Sequence, residues 1–470
     1  MFSKSHFSQL GKTVSRRFTL VITAILLLVG FLILPGTGQY LAAAPEAEKI
    51  VIERNTVQAT TGTTATNIIV MIGDGMGFEQ VEAARYYSGA PLSFEGLPYQ
   101  AEMTTYSANS SVTDSAAAGT AMATGHKVDN GVISMAIPGD GSDLETALEE
   151  YKASGKMTGL VTTAYVSHAT PAAWGAHESS RTNYSQIAAD MLNDSKPNIL
   201  MGGASAVNPS SAGAAGYTVV TDRDTMEAVD TDNTSMLSGQ FGSGYMPYEY
   251  AGGYTGPGSL PHLSEMTVTA LDVLDNDPDG FFLMVEGARI DHAGHSNLIY
   301  ENIYETIEFG NAVQEVITWV DNSPTLNWNN TLLIVAADHE TGGLNVTGGN
   351  GAGNLPDYTW STGGHTGVNV PVYARGLDAE QVTGVIDNTD IYRITTSAEE
   401  PSTTATPTMT VPLTETPVLP PTGSIDVRIN SGSDDVEESL TDGEMYANSS
   451  DLELGDDDAY FGPQTLGLRF

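Results

Sequence analysis

The chain has 470 residues, no cysteine, and 58 acidic against 18 basic side chains, for a formal charge of −40. Without thiols there are no disulfides, thiolate metal sites or cysteine nucleophiles, and oxygen and imidazole are the strong ligands left. The acidity argues against nucleic acid and anionic membrane surfaces as partners, so an anionic substrate needs local cations that overcome the global field.

At the N-terminus, Lys4, Lys12, Arg16 and Arg17 precede an apolar run at 18–34, then Pro35-Gly36 and the small residues Ala42-Ala43-Ala44. That order reads as an export signal over residues 1–44, cleaved near Ala44. A run of 17 residues also nears the lower limit of a bilayer span, which leaves an uncleaved membrane anchor as the alternative. Either way the protein is expected to work outside the cytoplasm, in the periplasm, at the cell surface or in the medium. Residues 45–66, rich in Thr, Ala and Glu, read as a linker.

Short apolar runs then recur at 67–72, 159–164, 198–203, 281–285, 331–337 and 370–375, as expected of strands covered on both faces. Helical patterns lie between them. In 300–320, Ile303, Ile307, Val313, Ile317 and Val320 mark one buried face. The alternation predicts a three-layer α/β sandwich over 67–395, with a central, mostly parallel sheet flanked by helices. Functional residues in such folds gather at the carboxyl ends of the strands.

The first strand runs into Gly73-Asp74-Gly75-Met76-Gly77; taken alone, Asp74 reads as a carboxylate capping a turn. In 112–125, Ser115 is followed by alanines and other small residues, so it falls at or near a helix N-terminus. Unpaired N–H groups and the helix dipole favour an anion beside its hydroxyl. An N-capped, tightly packed helix is the plainer alternative, since a serine nucleophile needs a base or metal to activate it. The strand at 281–285 ends in Glu286-Gly287-Ala288-Arg289-Ile290-Asp291-His292-Ala293-Gly294-His295. One helical turn puts Asp291 and His295 on one side, a carboxylate and an imidazole suited to zinc. Asp338-His339 follows the strand at 331–337 in the same way, and His365 lies in a glycine-framed loop before 370–375.

With His168-Ala169-Thr170-Pro171 and Val161-Thr162-Thr163-Ala164 added, this ordered set resembles the alkaline phosphatases over residues 67–395. The resemblance implies hydrolysis of phosphate monoesters to an alcohol and inorganic phosphate through a phosphoserine intermediate, on two zinc ions and one magnesium ion. By position it implies Ser115 as nucleophile and Arg181 as the phosphate-gripping arginine. Asp291, His295 and His365 match the ligands of one zinc, and Asp74, Asp338 and His339 those of the other. Thr170 and Glu286, with Asp74, match the magnesium site. A homodimer is also implied. His168 and His292 stand where the best-studied bacterial members carry aspartate and lysine, which bears on the third metal. Two rival readings are a phosphodiesterase or sulfatase of the same superfamily, and a surface adhesion protein with an inactive core.

The Gly-, Ser- and Tyr-rich segment at 204–261 is expected to be a surface insertion of loops near the site entrance. Residues 396–423, with six prolines among threonines, read as an extended linker. Residues 424–470 read as a partial, truncated β-module of two or three strands, among them 425–429 and 465–470.

Overall fold

The computed structural model describes residues 65–396, apart from 253 and 257, together with four strands of the C-terminal tail. The expected export signal, nearly all of both linkers and the strand expected at 425–429 lie outside the described residues.

The elements run β1 (Asn67–Gly73), α1 (Phe78–Ser88), β2 (Tyr99–Thr104), α2 (Ser115–Thr124), α3 (Ala147–Ala153), β3 (Met157–Tyr165), α4 (Ala169–Gly175), α5 (Tyr184–Asn193) and β4 (Ile199–Gly203). Next come α6 (Pro209–Ala214), β5 (Thr218–Val220), α7 (Arg223–Glu227), β6 (Leu237–Phe241) and α8 (Leu263–Leu274). They are followed by β7 (Phe281–Gly287), α9 (Arg289–His295), α10 (Ile299–Asn322) and β8 (Thr331–Ala336). Two small antiparallel pairs join β9 (Glu340–Thr341) to β12 (His365–Thr366) and β10 (Leu344–Gly348) to β11 (Asp357–Trp360). The body closes with β13 (Val370–Gly376), β14 (Gly384–Asp387) and α11 (Asp390–Thr396).

Ten strands form one sheet in the order β14-β2-β13-β8-β1-β7-β3-β4-β6-β5. Neighbours pair in parallel except around β13, which runs antiparallel to both β8 and β2. Every residue of β1, β7 and β8 is buried, as continuous apolar runs demand when helices cover both faces. Each such Ile, Leu or Val contributes ~1.5–3 kcal/mol by leaving water, so the sheet centre is a stiff platform for whatever its strand ends carry. In α10, Ile303, Val313 and Val320 are buried as expected, while Ile307 and Ile317 are half-buried. Phe309 and Val316 are buried too, because α10 packs on α8 along one flank and α1 along another.

The segment at 204–261 departs from the expected loops. It contains α6 and α7, and β6 and β5 extend the sheet to its edge. Its apolar pattern is faint because β6 buries Ser238 and Gln240, and Gln240 Nε2 donates to Ser238 Oγ at 2.9 Å. Gln240 Oε1 has no partner, and two buried polar residues on one strand leave no hydrophobic alternation to read.

The tail forms its own antiparallel sheet of β15 (Asp435–Ser439), β16 (Met445–Ala447), β17 (Asp456–Asp457) and β18 (Gly462–Leu468), in the order β16-β15-β18-β17. Acid-rich segments at 435–439 and 456–457 thus supply strands beside the one expected near the end of the tail. Among the described residues, no helix is long and apolar enough to cross a membrane.

Candidate active site

Strand register brings the chemistry to one level. Ile72 pairs with Glu286 and with Ala336, and Thr162 pairs with Glu286, so β1, β3, β7 and β8 deliver Asp74, Thr162, Glu286 and Asp338 together. Gly75 allows the first strand to turn there. Its φ is +74°, and a Cβ at that position would stand 2.7 Å from Asp291 Cα. Its N–H donates to Asp338 Oδ1 at 3.0 Å.

Ser115 is the first residue of α2, and Asp114 caps the helix by accepting from Ala117 N. The other Asp114 oxygen receives Arg181 Nη1 at 3.0 Å, while Arg181 N donates to Gly131 O. The arginine is therefore fixed at backbone and side chain beside the serine's helix terminus, where free N–H groups and a guanidinium converge on anions. Burial opposes the Arg181 charge, but Asp114 more than restores it and raises the pKa. Gly119 lets α2 close on α4, since a Cβ there would lie 3.0 Å from Ala173 Cβ.

Three groups of metal-ligating atoms lie next to this terminus, the second and third buried and the first reaching the surface at His295. In the first, Asp291 Oδ1 is 3.4 Å from both His295 Nε2 and His365 Nε2, which are 3.1 Å apart. In the second, His339 Nε2 lies 3.6 Å from Asp74 Oδ1, 3.2 Å from Asp338 Oδ2 and 3.3 Å from Ser115 Oγ. Asp74, His168 and Glu286 form the third, with ligand atoms mutually within 4.8 Å. Thr170, on the first turn of α4, is buried with an unpaired Oγ1.

Outer contacts settle which nitrogen each imidazole presents. His295 Nδ1 donates to Gly363 O at 2.8 Å, and His365 Nδ1 to Thr113 O at 2.9 Å. Thr341 Oγ1 donates to Asp291, so His339 Nδ1, 3.2 Å away, must be the donor to that oxygen. With Nδ1 engaged outward, all three rings turn Nε2 into the site, the orientation that metal-binding histidines require.

The electrostatics call for cations. Both oxygens of Asp74, Glu286 Oε1 and Asp338 Oδ2 are buried without a hydrogen-bond partner. Burial, then neighbouring carboxylates, raises Asp74 well above the carboxylate range; burial lifts Glu286 to about 7 and Asp338 to about 6. Burial also pushes His339 well down, and His168 and His292 down to about 3 and about 4. At Asp291 burial is outweighed by His365 and the other imidazoles, which hold the carboxyl low. Unpaired buried carboxylates cost several kcal/mol each, and divalent ions held by oxygen and imidazole would offset that cost. The donor set fits them. A fourth group, Glu249, His262 and Glu308, is already paired: His262 Nδ1 lies 2.9 Å from Glu249 Oε2, and Glu308 receives Ser264 N and Asn311 Nδ2.

Every residue singled out from the sequence is therefore at this site or on its wall, His168 as part of the third group. His168 Nε2 stands 3.5 Å from Arg181 Nη2, and His292 lies 5.9 Å from His168 between ring centroids. Four contributors were not singled out. Asp114 carries an N-cap signal in Asp114-Ser115-Ala116-Ala117 that could have revealed it. Thr162, whose Oγ1 donates to Glu286 Oε2 at 2.5 Å, lies in the Val161-Thr162-Thr163-Ala164 motif, which marked the family without giving it a role; Thr341 and Tyr245 carry no signal of their own. Tyr245, from the segment expected to form loops near the site entrance, lies 4.4 Å from His292 between ring centroids.

Comparison with known proteins gives the arrangement a context. The sequence profile of the alkaline phosphatase family matches residues 65–206 and 207–356. Alkaline phosphatase 3 of Bacillus subtilis is 33% identical over 419 residues, covering 70% of this chain and 87% of that protein. The crystal structure of a cold-active alkaline phosphatase from Shewanella superposes with a TM-score of 0.62 at 31% identity, covering 70% of this chain and 99% of that one. A mutant of TAB5 alkaline phosphatase, solved with Mg bound, gives 0.62 at 27% identity, covering 71% and 97%.

Proposed function

The chain belongs to the alkaline phosphatase family and is a metal-dependent phosphatase; from that premise we propose that it is an exported enzyme that cleaves phosphate monoesters through a phosphoserine on Ser115. The observation that carries the proposal is Ser115 Oγ at a helix N-terminus, 3.3 Å from the bare Nε2 of His339. A serine hydroxyl so placed faces the cation site on one side and the anion-binding N–H groups and Arg181 on the other.

Asp291, His295 and His365 would hold one zinc, Asp74, Asp338 and His339 the second, and Asp74, Glu286 and Thr170 a magnesium ion, with His168 at its edge. Bound cations would supply the charge that lowers the serine pKa and neutralises the leaving oxygen. Arg181 grips two non-bridging oxygens of the phosphoryl group and keeps phosphorus in line with Ser115 Oγ. The Oγ–P bond forms as the P–O bond to the alcohol breaks, and the alkoxide leaves with a proton. Water then attacks the phosphoserine from the vacated side, releasing inorganic phosphate and restoring the hydroxyl. Two inversions give net retention at phosphorus. The apolar run at 18–34 and the family's homodimer support export and a dimeric assembly as parts of the same proposal.

The test is hydrolysis of a chromogenic phosphate monoester beside a phosphodiester and a sulfate ester, on metal-loaded, chelated and Ser115→Ala protein. Monoesterase activity that zinc restores and the alanine removes is expected, together with acid-quenched protein heavier by one phosphoryl group. Equal activity in the Ser115→Ala protein would defeat the proposal.

A further inference from the structure

We propose that Tyr245 is a positioning residue of the phosphate cavity, holding the imidazoles of His292 and His168 and, through His168, the guanidinium of Arg181. The inference rests on the phosphatase reading above and names a residue on which its substrate affinity depends. The contrast among the histidines points to it. His295, His339 and His365 are each oriented by a hydrogen bond at Nδ1. His168 and His292 have no such bond, and the Nδ1 of each is buried without a partner. Their orientation comes from packing instead.

The packing is a triangle of edge-on rings. Tyr245 lies 4.4 Å from His292 at 70° and 5.7 Å from His168 at 82°, and the two histidines stand 5.9 Å apart at 76°. Tyr165 backs the group, 4.9 Å from Tyr245 and 5.2 Å from His168. On the other side the Arg289 guanidinium sits 5.2 Å from the Tyr245 ring. Edge-on aromatic contacts are directional, so three of them define a ring's tilt as well as its place.

The backbone around Tyr245 is built to hold it. Gly244 N donates to Ala204 O at 2.7 Å and Met246 N to Thr163 O at 3.0 Å, so the residues on either side are tied to the ends of β4 and β3. Met246 is buried, yet the Tyr245 side chain remains 41% exposed. Gly203 admits the loop: a Cβ there would fall 1.7 Å from Gly244 O. A tyrosine clamped on both sides while exposed to solvent is not placed there to fill a core. Its ring stands edge-to-face with the two imidazoles, and His168 Nε2 in turn meets Arg181 Nη2 at 3.5 Å.

Removing the ring takes one edge-on contact from each imidazole and so loosens the His168 side of Arg181, while the Asp114 ion pair and the Gly131 backbone bond remain. In Tyr245→Ala, assayed in saturating zinc and magnesium, KM for a monoester and the calorimetric Kd for inorganic phosphate are both expected to rise ~10-fold, while kcat changes less than ~3-fold. Tyr245→Phe keeps the ring and should restore both. Thermal midpoints of all three proteins separate positioning from folding. Wild-type phosphate affinity in folded Tyr245→Ala would overturn the proposal, as would a lowered midpoint with unchanged KM. If the metal-loaded wild type neither hydrolyses monoesters nor binds phosphate, the phosphatase reading falls, and this inference with it.

Discussion

Thr341 gives its single hydroxyl hydrogen to Asp291 Oδ1 at 2.5 Å. Because the same oxygen must accept from His339 Nδ1, one small side chain joins a ligand of the first metal group to a ligand of the second. Thr341→Val keeps the shape and removes both bonds, so zinc retention against a competing chelator should weaken ~10–100-fold. Thr341→Ser should stay near wild type. An equal loss in Thr341→Ser, which keeps the hydroxyl, would count against the hydrogen bonds as the cause.

Arg181 reaches the site already paired with Asp114. Arg181→Ala is expected to lower kcat/KM for a monoester by ~10²–10³. A lysine offers a point charge without the fork, so Arg181→Lys should recover only a small part. Full recovery by lysine would show that charge alone, and not two-point geometry, holds the phosphoryl group.

Chelation should destabilise the fold. Cations bound at a thousandfold excess over Kd stabilise the native state by about 4 kcal/mol, and the unpaired carboxylates are what they relieve. Metal and protons compete for Glu286 and Asp338, raised to about 7 and about 6 by burial. The gap in thermal midpoint between loaded and chelated protein should therefore shrink as pH falls through 7 and 6. A gap independent of pH would mean these carboxyls do not bind the ions.

His177 gives a pH signature away from the metal groups. Its Nδ1 faces Ser134 O at 2.8 Å and its Nε2 faces Glu149 Oε1 at 2.9 Å, so both nitrogens donate and the ring is cationic. Burial opposes that charge, but the Glu149 and Ser134 contacts prevail and raise the pKa to about 9. A raised folded pKa stabilises fully below the unfolded value near 6.5, and the gain is lost as pH climbs through about 9. Discounted for solvent screening, His177→Ala should cost ~1–2 kcal/mol at pH 6 and much less at pH 10. Denaturant midpoints at the two pH values would decide it.

Much of the site could be read from the sequence because its members directly follow apolar runs. Asp74, Glu286, Asp291 and Asp338 come just after β1, within or after β7, and after β8, where a parallel sheet places chemistry. Thr341 and Tyr245 could not be read that way. Thr341 matters through Asp291, fifty positions earlier in the chain. Tyr245 depends on a glycine at 203 admitting its loop, a relation of backbones that leaves no periodic trace. The sheet edge at β5 and β6 was missed for a related reason. Ser238 and Gln240 are polar residues bonded to each other inside it and so resemble a polar surface loop.

The reversed direction of β13 bears on the order in which the centre can be assembled. A parallel strand presents the residues that follow it; an antiparallel one presents those that precede it, which is why His365 arrives ahead of β13 at the level where Asp74 and Asp338 come after their strands. A chain synthesised only as far as His339 holds the second group and, of the first, Asp291 and His295, yet lacks His365, which completes it. The paired centre is therefore complete only once the chain has passed β12. A chain cut between β8 and β12, after His339, would keep the ligands of one ion and only part of those of its neighbour.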